Sequence, residues 1–294
     1  MLSLLIQICF LCFLPHLGYS IYEFKRNRHV IRGQIFENSL NVNYKGRTAI
    51  AGININDPQT INDESSIEFA HKVLDYLPLT ITLEKNSSQA ALFIYPFATD
   101  SNSSKTDLFE VKVQDIVSII ESVFTPKRVH KLSGREIHEK MDDSSGILTT
   151  TGEYPVFQTN NNFTQIYTLS PLCWENKQDK FRFLLKSIIE LGVNINLSFT
   201  IYPNNFQYSL MGQIRISDPK KEQVVNAVNI LKKGGQLIHE SPLKFNKQYK
   251  TNRIMIQNII PIEPNPAQFI PLIDFANLIG FCIHNASTQT KPYS

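Results

Sequence analysis

The sequence predicts an α+β fold of two tandem ferredoxin-like domains, each a split β-α-β unit with an antiparallel sheet, behind an N-terminal hydrophobic segment. In several segments apolar residues recur every three or four positions, in others they alternate with polar residues, and both halves repeat one order of elements. The predicted parts are a hydrophobic segment, a first domain, a polar linker, a second domain and a polar tail, over residues 1–20, 22–128, 129–160, 161–285 and 286–294.

The first half is predicted to run strand, helix, strand, strand, helix. Ile53 and Ile55 alternate with asparagines, which is typical of a half-buried strand. A helix is expected from Asn62 or Asp63 to about Leu77, followed by strands over 79–84 and 90–97. A second helix carries a regular apolar stripe: Val113, Ile116, Val117, Ile120, Val123 and Phe124. Within the linker that follows, one short helix is expected near residues 135–141.

The second half repeats this order. A strand over 164–169 precedes a helix that Gly192 is expected to close. Alternating strands over 193–201 and 208–216 follow, and Asp218-Pro219 opens another helix. The predictions end with a short strand over 236–239, a strand over 254–262, and a last helix from Asn265-Pro266 with these residues on its buried side: Phe269, Leu272, Ile273 and Ala276.

The N-terminal segment is almost wholly apolar from Leu2 to Leu14. The small residues of Gly18-Tyr19-Ser20 suit cleavage of a secretory signal after Ser20. An uncleaved membrane anchor over residues 1–22 also fits, because basic residues follow it and would keep the remaining chain cytoplasmic. A buried helix is a third alternative.

Cysteines and sequons depend on which compartment the chain enters. Cys173 and Cys282 could form a disulfide in an oxidising compartment, and otherwise are ordinary buried thiols, which is the alternative that we favour. Of the Asn-x-Ser/Thr sequons, those at Asn86 and Asn102 lie in polar loops and are the best glycosylation acceptors.

Motifs for catalysis are not found in the sequence. There is no P-loop, no nucleophile elbow and no metalloprotease helix, since no second histidine follows His138-Glu139 at the required spacing. The 29 basic and 26 acidic residues give a net charge of only +3, which does not indicate nucleic-acid binding. The sequence therefore predicts a protein that is not an enzyme, with no catalytic residue, cofactor, metal or small-molecule ligand identified.

Some segments resemble those of a known family. Thr164–Pro171, the strand Ile195–Pro203, and Tyr44–Arg47 with Leu77-Pro78-Leu79 in the first half follow a similar order of elements. Over about residues 38–240 the chain is similar to the N-terminal region of the motor ATPases of conjugation and type IV secretion systems. The resemblance implies an accessory, non-catalytic domain that helps membrane docking and assembly, and it implies no role for any single residue.

Three functional hypotheses follow from these observations, of which the third is an enzyme with an active site that cannot be recognised from the sequence. The first is a non-catalytic, membrane-associated binding or assembly protein that acts through contacts with a protein partner or with itself. The alternative is a secreted or lumenal glycoprotein with an unknown binding role.

Overall fold

A computed structural model describes most of the chain. The described residues are 34–43, 47–56, 62–86, 90–99, 106–140, 144–148, 157–159, 162–169, 187, 190–204, 207–233, 238–239, 253–256, 268–270 and 272–287. The predicted signal or anchor over residues 1–20 lies outside them.

These residues form fifteen strands and five α-helices. The strands are β1 (Gln34–Ile35), β2 (Leu40–Asn43), β3 (Arg47–Ile50), β4 (Gly52–Asn56), β5 (Leu79–Lys85), β6 (Ala90–Thr99), β7 (Arg128–Leu132), β8 (Ser144–Leu148), β9 (Phe157–Thr159), β10 (Asn162–Leu169), β11 (Asn194–Asn204), β12 (Gln207–Asp218), β13 (Ile238–His239), β14 (Arg253–Ile256) and β15 (Gln268–Ile270). The helices are α1 (Asp63–Lys72), α2 (Thr106–Phe124), α3 (Gly134–Lys140), α4 (Lys221–Lys233) and α5 (Leu272–Ser287), and a 3₁₀ turn (Leu74–Tyr76) follows α1.

The strands join in one antiparallel sheet, so the chain is of the α+β class, as predicted. In the first half the order is β7-β4-β6-β5, and in the second half it is β13-β10-β12-β11. The two halves meet where β5 pairs with β11, from Leu79 opposite Ile201 to Lys85 opposite Ile195. We call this β5–β11 pairing the seam.

Helices from both halves cover one face of this sheet and share a single hydrophobic core. The predicted stripe of α2 is buried, with Ile116, Ile120 and Phe124 fully enclosed. Residues of α1, α4 and α5 belong to the same cluster, as do the fully buried Phe199 and Leu197 of β11. The core therefore continues across the seam.

Helix α5 packs against α1 of the first half. The approach is close, since a Cβ atom at Gly280 would lie 3.0 Å from Ser66 Oγ. The last described helix thus completes the cover of the first half.

The opposite face of the sheet carries a smaller core beneath α3. It consists of apolar and aromatic side chains from four strands and α3: Leu40, Ile50, Phe93, Tyr95, Phe97, Leu132 and Ile137. Phe93 and Tyr95 stack with ring centroids 6.0 Å apart.

Helix ends follow from local side-chain and backbone chemistry. Asn62 caps α1 by accepting the Ser65 backbone N–H at 2.7 Å, and the Ser65 hydroxyl accepts the Asn62 backbone N–H in return, at 3.2 Å. Helix α2 ends before Thr125, which takes a positive φ of 39°, and the next residue is Pro126. Gly192 adopts φ +76°, as a C-terminal cap requires.

Two regions differ from the sequence-based expectation. The expected linker contains α3, close to the predicted short helix, but also three strands of the sheet. These are β7, which pairs with β4 along its whole length, and β8 and β9, which pair with each other. Polar side chains predominate in β7, so its sequence lacks the apolar alternation that predicts a strand. The prediction of the last helix was wrong at its start, because Phe269 lies in β15 opposite Ser209 and α5 begins only at Leu272.

Candidate functional site

A change of strand partner forms a groove at one side of the sheet. β3 and β4 follow each other in the chain and are separated by Ala51 alone. β3 pairs with β2, whereas β4 pairs with β7, so the neighbouring strand changes at Ala51. The Ala51 backbone N–H donates to the Pro96 carbonyl at 3.1 Å, which holds this point against β6.

The groove formed there has a volume of about 430 Å³. It lies between the turn before β2, the N-terminal half of α2 and the end of β7. Its lining residues are Asn38, Ser39, Ala51, Phe109, Glu110, Val111, Val113, Gln114 and Lys131. An apolar floor with polar groups around it is typical of sites that take one side chain or a small ligand.

Two apolar side chains of α2 are exposed at this end of the helix. Leu108 is 61% exposed and Val111 is 57% exposed, and Val111 also lines the groove. They stand one turn apart, so they share a face of the helix. Exposed large apolar side chains next to a groove, with polar residues around them, are a feature of interaction sites.

The turn before β2 is fixed in place from both sides. The Phe36 backbone N–H donates to the Ser39 carbonyl at 2.9 Å, and the Gly134 N–H donates to the Glu37 carbonyl at 3.1 Å. On the other wall, Lys131 Nζ donates to Gln114 Oε1 and so ties β7 to α2. Both walls of the groove are therefore held by defined contacts.

Charged groups beside the groove are arranged around β7 and α3. His130 Nε2 lies 3.4 Å from Glu136 Oε1. The Ser133 backbone N–H donates to Glu136 Oε2 at 2.7 Å, and this bond, more than the contact with His130, lowers the pKa of Glu136. On α2, burial lowers the pKa of Lys112 to about 8, and its amine donates to the Leu77 carbonyl at 3.3 Å.

A second polar feature crosses the seam on the α3 side of the sheet. The Thr80 and Thr200 hydroxyls lie 2.9 Å apart, with side chains that are 0% and 2% exposed. In the next row, the Thr82 and Ser198 hydroxyls lie 3.2 Å apart. These pairs join β5 to β11 through side chains as well as through the backbone.

Glu84 extends this polar row toward α3. Its carboxylate accepts Lys140 Nζ at 2.8 Å and Asn196 Nδ2 at 3.5 Å. Burial lowers the pKa of Arg215 to about 9, although the negative charge of Glu84 acts in the opposite direction. Within the part of the chain that the structure describes, the buried Tyr95 hydroxyl has no hydrogen-bond partner.

The structure places some of the predicted modification sites. Asn86 directly follows β5, whereas Asn102 and Cys173 lie outside the described residues. Cys282 is a fully buried free thiol of α5, and burial raises its pKa. Glycosylation at either asparagine and a Cys173–Cys282 bond stay predictions.

Sequence reasoning missed the residues of the groove. Leu108 and Val111 lie outside the α2 stripe, and an apolar residue on the exposed side of an amphipathic helix is a signal that could have been read. The partner change at Ala51 had no such signal, because strand pairing is not visible in the sequence of one strand.

Neither a metal cluster nor a membrane-spanning helix is found among the described residues. They contain no group of three or more His, Cys, Asp or Glu side chains that could hold a metal ion. In the same residues, every helix is too short or too polar to cross a membrane.

Comparisons with known proteins give distant likenesses. No protein-family model and no curated protein matches the chain. CrmK, a flavoenzyme involved in shunt product recycling in caerulomycin biosynthesis, is similar over 64% of this chain and 41% of its own, with 7% identity and a TM-score of 0.33. A protein of Fusobacterium nucleatum named as a monooxygenase is similar over 77% of this chain and 99% of its own, with 11% identity and a TM-score of 0.24. A chlorite dismutase variant of Candidatus Nitrospira defluvii is similar over 79% of this chain and 95% of its own, with 10% identity and a TM-score of 0.21.

The chain thus spans about two fifths of the flavoenzyme's length. With TM-scores this low, these likenesses carry no argument about what this chain does.

Proposed function

We propose that this chain is a binding or assembly protein that acts through protein–protein contacts at the groove beside α2. The observation that carries the proposal is the exposed pair Leu108 and Val111 on α2, of which Val111 lines a groove of about 430 Å³. A partner that places a side chain in the groove and lies over this face of α2 would remove Val111 and Leu108 from water, which stabilises a complex. The fixed walls of the groove reduce the ordering that binding would require.

The fold proposal concerns the two halves. Each half places its strands in the order fourth, first, third, second, which is the arrangement of a split β-α-β unit. We propose that these are two tandem ferredoxin-like units whose second strands, β5 and β11, pair at the seam. The similarity to the accessory region of secretion-system motor ATPases stays a hypothesis that rests on element order, and none of the comparisons links the chain to that family.

The proposed location is a membrane surface, with residues 1–22 as the anchor. The alternative is a secreted or lumenal glycoprotein with the same groove. Expression with a C-terminal tag separates the two. A full-length product without glycans that stays with the membrane supports the anchor, whereas a product shortened by about 20 residues and sensitive to glycosidase supports the alternative.

The binding proposal is tested with peptides. The full chain, in a mild detergent, is used to select from a displayed library of random peptides, and the dissociation constant of each selected peptide is measured by fluorescence anisotropy. Val111→Asp should weaken these peptides roughly tenfold or more, because it puts a charge at the centre of the contact.

Ser122→Asp is the matched control, since Ser122 is an exposed residue of the same helix away from the groove. It should leave the dissociation constants unchanged. A library that yields no binder, or binders that tolerate Val111→Asp as well as Ser122→Asp, would contradict the proposal.

A further inference from the structure

Strand β7 has a side that can accept a further strand. Within the described residues β7 pairs with β4 alone, from Gly52 opposite Leu132 to Asn56 opposite Arg128. A strand at the end of a sheet presents unpaired backbone N–H and C=O groups on its outer side. An extended peptide can use these groups to add itself to the sheet.

Three of the five side chains of β7 are basic. Arg128 and Lys131 are exposed, His130 is half-buried, and the strand contains no acidic residue. Lys127 immediately precedes the strand. Glu136 of α3 contacts one of these side chains, with its Oε1 3.4 Å from His130 Nε2. A strand added beside β7 would therefore lie next to Arg128 and His130 on one face of the sheet and Lys131 on the other, which favours a partner of negative charge.

The strand and the groove are continuous. Lys131 belongs to β7 and also lines the groove, and its amine is held at Gln114 of α2. A chain that lies along β7 thus ends beside Val111 and the apolar floor. Side chains of a strand alternate between the two faces of the sheet. Such a chain can therefore direct an apolar residue to the groove on one face and acidic residues to Arg128 and His130 on the other.

We propose that β7 takes an acidic, extended segment of a partner protein as an added strand, with one apolar side chain of that segment in the groove. This inference rests on the proposed function and names its partner class. Backbone hydrogen bonds supply affinity, the basic side chains select for negative charge, and the groove sets the register.

The test uses a synthetic peptide of about six residues that alternates glutamate with valine or leucine. Its binding to the full chain is compared with that of a lysine-containing counterpart. We expect the acidic peptide to bind and the basic one not to bind. Arg128→Gln should weaken the acidic peptide roughly two- to fivefold, as for an exposed ion pair, whereas Lys131→Gln should have a smaller effect because Lys131 lies on the groove face, opposite the glutamates. Lys220→Gln, an exposed basic residue of the second half, is the control and should have no effect.

Backbone methylation separates strand addition from simple charge attraction. N-methyl groups at alternate residues of the peptide block one of its two hydrogen-bonding sides. Methylation on one side should abolish binding, and methylation on the other side should not.

If both methylated peptides bind equally while Val111→Asp still weakens them, strand addition is wrong and the groove proposal stands. If none of the peptides binds and the library also gives no binder, both proposals fail. Binding of phosphatidylserine-containing vesicles instead of peptides, lost in the Arg128 and Lys131 variants, would assign β7 to an anionic lipid surface and overturn the inference.

Discussion

The buried hydroxyl pair across the seam gives a quantitative test of how the two halves are joined. Thr80 Oγ1 and Thr200 Oγ1 are 2.9 Å apart, and neither side chain is more than 2% exposed. Thr80→Val or Thr200→Val keeps the side-chain shape but leaves the opposite hydroxyl buried without its partner. Each single substitution should therefore lower the free energy of unfolding by about 1–3 kcal/mol.

The double variant should behave differently from the sum of the single ones. When both hydroxyls are replaced, no polar group is left unpaired, and two valines can pack against each other across the strands. We expect the Thr80→Val/Thr200→Val protein to unfold with nearly the wild-type free energy. The coupling between the two sites should then equal the sum of the two single losses, about 2–6 kcal/mol.

Urea denaturation of the full chain, followed by circular dichroism, measures these quantities. Ser118→Ala, at an exposed position of α2, is the reference substitution and should change stability by no more than about 0.5 kcal/mol. If the two threonine substitutions prove additive, the hydroxyls do not interact across the seam and the reasoning is refuted.

Three further predictions concern the first half. Gly52→Ala should destabilise the protein by about 1–3 kcal/mol, less in a Leu132→Ala background, because its Cβ would lie 2.6 Å from Leu132 Cδ1. Urea midpoints measure both, and equal losses in the two backgrounds would show that Leu132 is not the obstacle. Lys112→Met should stabilise the protein most below pH 8, and its advantage should shrink as the pH rises from about 8, the folded pKa, toward about 10.4, the ordinary lysine value. An advantage that is constant from pH 7 to 10 would contradict the lowered pKa of Lys112. Because Ser133 lowers the pKa of Glu136, wild type should exceed Glu136→Gln in stability above about pH 4.3, and this difference should vanish as the pH falls through the folded pKa. Acid titration of both proteins measures it, and a difference that persists in acid would argue against this hydrogen bond.

The periodic elements of the fold could be predicted from the sequence. The α2 stripe of Val113, Ile116 and Ile120 and the alternation of β11 each depend on a single element with one buried face, and such a face leaves a repeating pattern. Reading these patterns in succession predicted α1, β5, β6 and α2 in the first half and β10, β11, β12 and α4 in the second, whereas β7 was missed.

Pairing between distant strands could not be predicted in this way. Alternation in β11 shows which side chains share a face, but it does not show that Phe199 lies opposite Ile81. Ser198 and Thr200 occupy polar positions of this alternation, yet both are buried. A polar face of a strand can be covered when neighbouring hydroxyls satisfy each other, and that information lies in β5.

Strand β7 shows the same limit for the candidate site. Its basic residues obscure any apolar alternation, so residues 129–132 were predicted to belong to a linker, whereas in the sheet Arg128 and Lys131 are exposed on opposite faces of β7. Basic residues are common on end strands, where their charge opposes pairing with unsuitable strands. The groove depends on where β7 ends and β2 begins beside the β3–β4 segment. That position is a property of the strand pairing and not of any one segment.

The packing of α5 on α1 has a consequence for synthesis. The first half of the chain emerges from the ribosome before the residues of α5 have been made. During that interval α5 is absent, so it does not cover the side of α1 that includes Ser66. In the folded protein Ser66 lies close to Gly280 of α5. Cotranslational folding can thus begin at the N-terminal half, but the cover of α1 is completed only when α5 emerges. Chains that stop before α5 would leave this side of α1 exposed to chaperones.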